Sequence, residues 1–225
     1  MKDRLFAQIS IMFKPGNSFA DYLFITVTFL PLLPAIFILF QKNFGKSPLD
    51  ILLIICLVNF IRDLPIHLYM LNWEGQNILN NVCYPIELIL FARLFRTTLL
   101  KPLREGLTVI LVAFLSSMLT WLSIKGWEND TPVLEIIQYS ILIGTILPSL
   151  PFLVRSKGLD IFRSSLFWIA GGTLFYLFIL LLLKWANPGG QLNAEDKIFL
   201  SLAALIRYSL YMLAALPGRD SALTE

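Results

Sequence analysis

The chain reads as an all-α membrane protein, a bundle of seven transmembrane helices preceded by a short interfacial helix, and three observations carry that reading. Hydrophobic residues make up 57% of the 225 and charged residues only 15%, against roughly 45–50% and ~25% in a soluble domain. Mean hydropathy is +0.74. Apolar stretches at 20–41, 49–71, 77–99, 106–124, 132–154, 162–184 and 195–216 are each about the 20 residues that cross a ~30 Å hydrocarbon core. Ionisable residues nevertheless stand at mid-depth in several of them, and charges in hydrocarbon are costly unless they face a bundle interior or a water-filled cavity.

Taken in order, residues 1–19 form an amphipathic segment. Leu5, Phe6, Ile9, Met12 and Phe13 fall on one helical face, and Lys2, Arg4, Gln8 and Lys14 are polar. This is the pattern of an uncleaved helix lying in the membrane interface. Residues 20–216 are the seven-helix domain and 217–225 a short cytoplasmic tail. Turn signals separate the spans: Gly45 to Pro48, Trp73 to Gly75, Lys101-Pro102, Gly126 to Pro132, Lys157-Gly158, Asn187 to Gly190 and Pro217-Gly218. No connection is long enough for a soluble domain, so any chemistry belongs inside the bundle or at its mouths.

Short-loop basic residues set the orientation. With the N-terminus outside, the cytoplasmic segments hold Lys42, Lys46, Arg93, Arg96, Lys101, Arg104, Arg155, Lys157, Arg163 and Arg219, and the other side Lys2, Arg4, Lys14, Lys125, Lys184 and Lys197. The excess predicts a multi-pass protein of the inner (cytoplasmic) membrane, N-terminus out and C-terminus in. The +3 net charge is scattered through loops and gives no basic stripe for nucleic acid. Cys56 and Cys83 sit inside apolar stretches and read as small core residues.

An internal repeat is also suggested. Pro31 and Pro34 recur as Pro148 and Pro151, 117 residues on, and the fourth span has no ionisable residue in its interior. A triple-helix, linker, triple-helix plan would give this offset, as in transporters with parallel repeats.

The second span places Asn59, Arg62, Asp63 and His67 on one face. Arg62 and Glu87 are equidistant from the turn at 74–75 and should meet on antiparallel neighbours, each roughly 14–15 Å below its helix end at 1.5 Å per residue. The third span adds Asn77, Asn80, Asn81 and Tyr84 above Glu87. The fifth contributes Glu135, Gln138 and Tyr139, the seventh Ser201, Arg207, Tyr208 and Tyr211. With N-out topology most of these belong to the outer half, which predicts a vestibule open to the outside. Arg62 and Arg207 face Asp63, Glu87 and Glu135, so one carboxylate is expected to lack a partner, to be protonated or to await a cation, unless Glu135 lies near water.

His67 is the only histidine, which argues against a zinc site; no metal and no cofactor are expected. His-Glu-x-x-His, Gly-x-Ser-x-Gly and the P-loop are missing from the sequence, so an enzyme is not expected. Arg207, where a retinal protein needs a lysine, cannot form a Schiff base.

Three motifs stand out in the third, sixth and seventh spans: Asn81-x-x-Tyr84-x-x-Glu87, Phe167-Trp168-x-x-x-Gly172-x-x-x-Tyr176 and Ile206-Arg207-Tyr208-x-x-Tyr211. In these the chain resembles a group of seven-span membrane proteins of Bacteroidota to which no function is assigned. The resemblance implies the seven-span class and brings no substrate with it. Two functions remain open. A receptor-like or sensory module would bind a small polar ligand from outside at Arg62, Asp63, His67, Asn80, Asn81, Tyr84, Glu87, Gln138, Arg207 and Tyr211. It would signal to a cytoplasmic partner or within a homo-oligomer. The alternative is a small transporter, proton-coupled in one version, similar in span count to the SWEET and PQ-loop transporters. This sequence has no Pro-Gln dipeptide, and its polar residues line the two halves unequally.

Overall fold

The computed structural model describes residues 19–40, 48–67, 72–129, 131–186 and 193–216, without the side chains of 66–67 and 156–159. The expected interfacial helix, apart from Phe19, and the tail at 217–225 lie outside the described residues. The elements are α1 (Phe19–Val27), α2 (Leu32–Phe40), α3 (Leu49–His67), α4 (Trp73–Phe95), α5 (Lys101–Lys125), α6 (Pro132–Ile146), α7 (Ser149–Lys157), α8 (Ser165–Ala186) and α9 (Ala194–Ala214), with short 3-10 turns at Arg96–Thr98 and Gly158–Arg163.

Local chemistry sets the helix ends. Asn72 caps α4 by accepting from the Gly75 amide at 2.9 Å, and Asn193 forms a reciprocal capping box with Asp196 at the start of α9. Pro102 and Pro132 stand in the first turns of α5 and α6, where a missing N–H costs nothing. Gly126 stops α5 at φ +95°, a conformation L side chains rarely adopt.

Two expected spans are broken rather than continuous. Phe19–Phe40 turns at 28–31 between α1 and α2, and Pro132–Arg155 turns at 147–148 between α6 and α7. In both, the chain re-enters a helix with a proline in its first turn, Pro34 in α2 and Pro151 in α7.

Among the described residues, six helices are long and apolar enough to cross a membrane: Phe19–Phe40, Trp73–Thr98, Lys101–Lys125, Pro132–Arg155, Ser165–Ala186 and Ala194–Ala214. The protein is a membrane-embedded, multi-pass helical protein. The seventh expected span, α3, has nineteen residues but carries Asp50, Arg62 and Asp63, so its composition alone does not place it among the six. It is still buried in the bundle, with Leu52, Ile55, Cys56 and Asn59 fully covered.

Packing is between neighbours around the bundle. Helix α3 lies between α2 and α4, α4 packs on α6, α6 on α8, α8 on α9, and α9 closes on α1 and α2. Helix α5 packs on α4, and its buried side chains form a narrow stripe of Phe114, Met118 and Leu122. Its other faces, with Val109, Val112 and Ile124, stay exposed, as lipid-facing side chains do when no water must be avoided. The α8–α9 contact is the tightest. A Cβ on Gly172 would stand 3.0 Å from the Arg207 carbonyl oxygen, so any larger residue would require α9 to give way by a few tenths of an ångström, and glycine is what lets the two backbones approach closely.

Candidate functional site

The polar centre is built on three helices. Glu87 lies fourteen residues after Trp73 on α4 and Arg207 thirteen after Ala194 on α9. These helices run the same way, so the two residues share one depth. Arg207 Nη2 donates to Glu87 Oε1 at 2.6 Å. From α3, Arg62 Nη1 reaches Glu87 Oε2 at 3.4 Å, and Asn59 Nδ2 reaches Oε1 at 3.4 Å. Arg62 makes its short contact elsewhere, Nε to Asp63 Oδ1 at 2.7 Å. Glu87 is thus clamped tightly from one side and loosely from the other.

Aromatic rings surround the Arg207 guanidinium, and one ring lies against that of Arg62. Arg207 Cζ is 4.8 Å from the Tyr176 ring centroid, 5.4 Å from Tyr211 and 5.6 Å from Tyr208. Arg62 Cζ is 5.1 Å from the Tyr84 ring. Ring faces offer electrostatic attraction where water is excluded. A hydroxyl chain then fixes Arg207: Nε donates to Tyr211 Oη at 2.8 Å, and Tyr211 Oη and Thr173 Oγ1 are 2.7 Å apart. Thr173 Oγ1 donates to the Ile169 carbonyl at 2.7 Å. With that proton committed, the Tyr211 hydroxyl must donate to Thr173, and its lone pair is left for Arg207.

A second set of polar residues ties one end of the bundle together. Asn81 Nδ2 donates to the carbonyls of Trp127 at 2.9 Å and Asn129 at 3.1 Å, and its Oδ1 accepts from Thr131 Oγ1 at 2.8 Å. Asn77 Nδ2 donates to the Glu128 carbonyl at 2.8 Å. Gln138 Nε2 donates to the Tyr84 carbonyl at 2.7 Å. Lys184 pairs with Glu135, and Lys197 Nζ with Asp21 Oδ1 at 2.7 Å.

The residues singled out from sequence therefore divide. Arg62, Asp63, Tyr84, Glu87, Arg207 and Tyr211 come together in the central cluster. Asn81 and Gln138 instead hold α4 to the 127–131 segment and to α6. Asn80 is half-buried beside Asn81 and outside the hydrogen bonds just described. The side chain of His67 lies outside the described residues. The expected carboxylate surplus is corrected: Asp63 faces Arg62, Glu87 faces two arginines, and Glu135 is held by Lys184. That count had left Lys184 among the loop charges, although Lys184 near the end of α8 and Glu135 near the start of α6 stand at the same end of the bundle. Sequence reasoning also missed Asn59 as a Glu87 ligand and Thr173 and Tyr176 as supports of Arg207.

One buried atom in the cluster is unsatisfied. Asn59 is fully buried, and its Oδ1 has no hydrogen-bond partner among the described residues; Ser201 Oγ is in the same condition. Among the described residues, no group of three or more His, Cys, Asp or Glu side chains is placed to hold a metal ion.

The chain matches no model of a known protein family, no characterised protein and no solved structure. What the fold and site define is a class: a multi-pass helical membrane protein with a charge-balanced polar cluster within its bundle.

Proposed function

We propose that the protein is a small transporter of a polar solute, built from two three-span halves, α1–α4 and α6–α9, joined by α5. One observation carries this reading, the register of the helices. Displaced by 117 residues, Leu32–Phe40 falls on Ser149–Lys157 at both ends; Phe19–Val27 falls within Pro132–Ile146 and Leu49–His67 within Ser165–Ala186. Trp73–Phe95 covers most of Ala194–Ala214. The matrix of neighbours supports it, because the last helix of each half packs on the first of the other, α4 on α6 and α9 on α1. Helix α3 is then the seventh crossing, its charges satisfied inside the bundle.

Position 21 and position 138 are also 117 apart. Asp21 ties α1 to Lys197 on α9, and Gln138 ties α6 to the Tyr84 carbonyl on α4. Each is a polar bridge from one half to the other. The central Glu87–Arg207 pair crosses between halves as well. Parallel repeats that enclose a midplane site at their interface are a transporter architecture, and matched helix breaks at Pro31/Pro34 and Pro148/Pro151 supply a hinge in each half. The residues that suggested an outward vestibule are engaged in bridges between helices, which weakens the receptor-like reading. The proposed orientation in the inner membrane keeps the start of α1 outside and the end of α9 inside. No cofactor and no covalent chemistry enter this function.

The test is two-sided accessibility of a single cysteine, Tyr84→Cys in a background with Cys56 and Cys83 replaced by alanine, on sealed vesicles of each orientation with impermeant thiol reagents. Labelling from both sides is expected. Labelling from one side alone would replace the transporter by a receptor-like module, and no labelling would make the cluster a packed core.

A further inference from the structure

The exposed faces of α3 and α4 end on opposite charges. On α4 the exposed positions form one stripe, Ile78, Val82, Ile86 and Ile89, and the next residues along it are Arg93 and Arg96. Steps of three and four keep all six on one side of the helix. Arg96 still has helical angles, φ −54° and ψ −37°, so the stripe runs unbroken to it. The exposed stripe of α3, Ile61, Leu57 and Ile54, reaches Asp50 at that end of the bundle instead.

Arg93 and Arg96 have basic neighbours. The chain turns at 96–98 and begins α5 with Lys101 and Arg104, and α7, which carries Arg155, packs on the same turn. None of these five side chains has an ion-pair partner among the described residues. At the opposite end of the bundle the cations are engaged: Lys184 with Glu135, Lys197 with Asp21, and Lys125 with its Nζ 5.8 Å from the Trp121 ring centroid. Helix electrostatics explains only part of this contrast. The macrodipole favours Arg93 in the last turn of α4, but it opposes Lys101 and Arg104 at the start of α5. Unpaired cations gathered against a helix dipole leave an uncompensated positive field beside the stripe.

Length gives the form of the missing anion. Val82 lies eleven residues before Arg93, about 16 Å along the helix at 1.5 Å per residue. That is close to half of a ~30 Å hydrocarbon core. The surface is thus about one leaflet long, apolar along its length and cationic at its head.

We propose that this surface of α4, with the basic turn that follows it, binds an anionic phospholipid. The phosphate lies against the guanidiniums of Arg93 and Arg96, which suit its oxygens in a two-pronged geometry. Lys101, Arg104 and Arg155 add field from the flanking helices. One acyl chain runs along Ile89, Ile86 and Val82. The stripe of α3, similarly apolar but ending on Asp50, repels the same headgroup, so the lipid is placed on one side of the bundle. The inference does not depend on whether the bundle transports a solute.

The experiment measures binding of fluorescent phosphatidylglycerol to the full chain purified in detergent, with unlabelled phosphatidylglycerol, phosphatidylcholine and glycerol phosphate as competitors. Phosphatidylglycerol should displace the probe. Phosphatidylcholine, whose choline cation meets the same arginines, should compete about tenfold more weakly or less. Glycerol phosphate, a headgroup without chains, should not compete at those concentrations. Replacing both arginines, Arg93→Gln with Arg96→Gln, should weaken binding by about 25-fold, roughly fivefold for each basic residue. Lys125→Gln, at the opposite end, should leave it unchanged. Both arginines are exposed and unpaired, so their loss strands no partner, and an unchanged melting temperature without lipid would confirm the fold of the double variant. Equal competition by phosphatidylcholine would overturn the proposal, as would unchanged affinity in the double variant. Equal competition by glycerol phosphate would replace the lipid with a free anion. If the double variant does not fold, the wild-type competition series decides alone.

Discussion

Arg207 and Glu87, 120 residues apart in the chain, meet at 2.6 Å on two helices that run in the same direction at the same depth. This short bond outranks the 3.4 Å contact between Glu87 and Arg62 on the neighbouring helix of the hairpin. The centre of the bundle is therefore held more tightly by a contact between helices distant in sequence than by the local hairpin.

Double-mutant cycles should rank the two arginines accordingly. Glu87→Gln, Arg207→Leu and Arg62→Leu should each lower the melting temperature in detergent, because each strands a buried charge, at a cost of about 3–5 kcal/mol where burial is complete. The coupling energy of Glu87 with Arg207 should lie near the upper end of the ~0.5–3 kcal/mol range for contacting residues. That with Arg62 should be smaller, because Arg62 retains Asp63. Equal couplings would mean that the two contacts are equivalent in the membrane, contrary to the distances.

The hydroxyl chain behind Arg207 makes a graded prediction. Tyr211→Phe removes the acceptor for a buried guanidinium N–H and should cost about 1–3 kcal/mol. Thr173→Val leaves the Tyr211–Arg207 bond in place and removes only the acceptor of the Tyr211 proton, so it should cost about 1 kcal/mol. Chemical denaturation of the two variants gives the order. A larger loss from Thr173→Val would show that the chain does not end on Tyr211 in the direction derived above.

The helices were legible from apolar length and most of the turn residues, and the Arg62–Glu87 contact was expected from equal distance to a turn at 74–75; the contact forms, but Glu74 and Gly75 stand in the first turn of α4, so that premise does not hold. Both signals are local. The Glu87–Arg207 bond was not derivable that way, since spacing within one hairpin says nothing about which distant helix closes the ring. Both residues were nonetheless singled out because deep charges in apolar helices need partners. The polar residues of α4 and α6 misled for a physical reason: Asn77, Asn81 and Gln138 carry the same donors and acceptors whether they face water or a neighbouring backbone carbonyl. Composition cannot distinguish a vestibule from a helix clamp. Glu135 was misjudged similarly, because its partner Lys184 stands at the far end of the next span, 49 residues on.

Asn81 provides a direct check on the clamp. Its amide satisfies two carbonyls and one hydroxyl of the 127–131 segment, so Asn81→Ala should destabilise by about 2 kcal/mol or more, as a buried side chain with several partners lost. Protease nicking at 126–131 should rise with it. Asn80→Ala, one residue earlier and outside that network, should shift neither measurement appreciably. If the two alanine variants behave alike, the segment is not held by Asn81.

Adjacent glycines on α8 offer a control within a single turn. Gly171 has open space where a Cβ would go, whereas a Cβ on Gly172 would meet the Arg207 carbonyl oxygen at 3.0 Å and the Leu210 Cβ at 3.2 Å. Gly171→Ala should therefore be neutral or stabilising by up to about 1 kcal/mol, from helix propensity alone. Gly172→Ala should lose about 1–3 kcal/mol through overpacking. The displaced backbone carries Arg207, so Gly172→Ala should also reduce the Glu87–Arg207 coupling energy measured in its background, a change that Gly171→Ala does not produce. Identical coupling in both backgrounds would mean that α9 yields without moving Arg207, and the close α8–α9 approach would then serve packing alone.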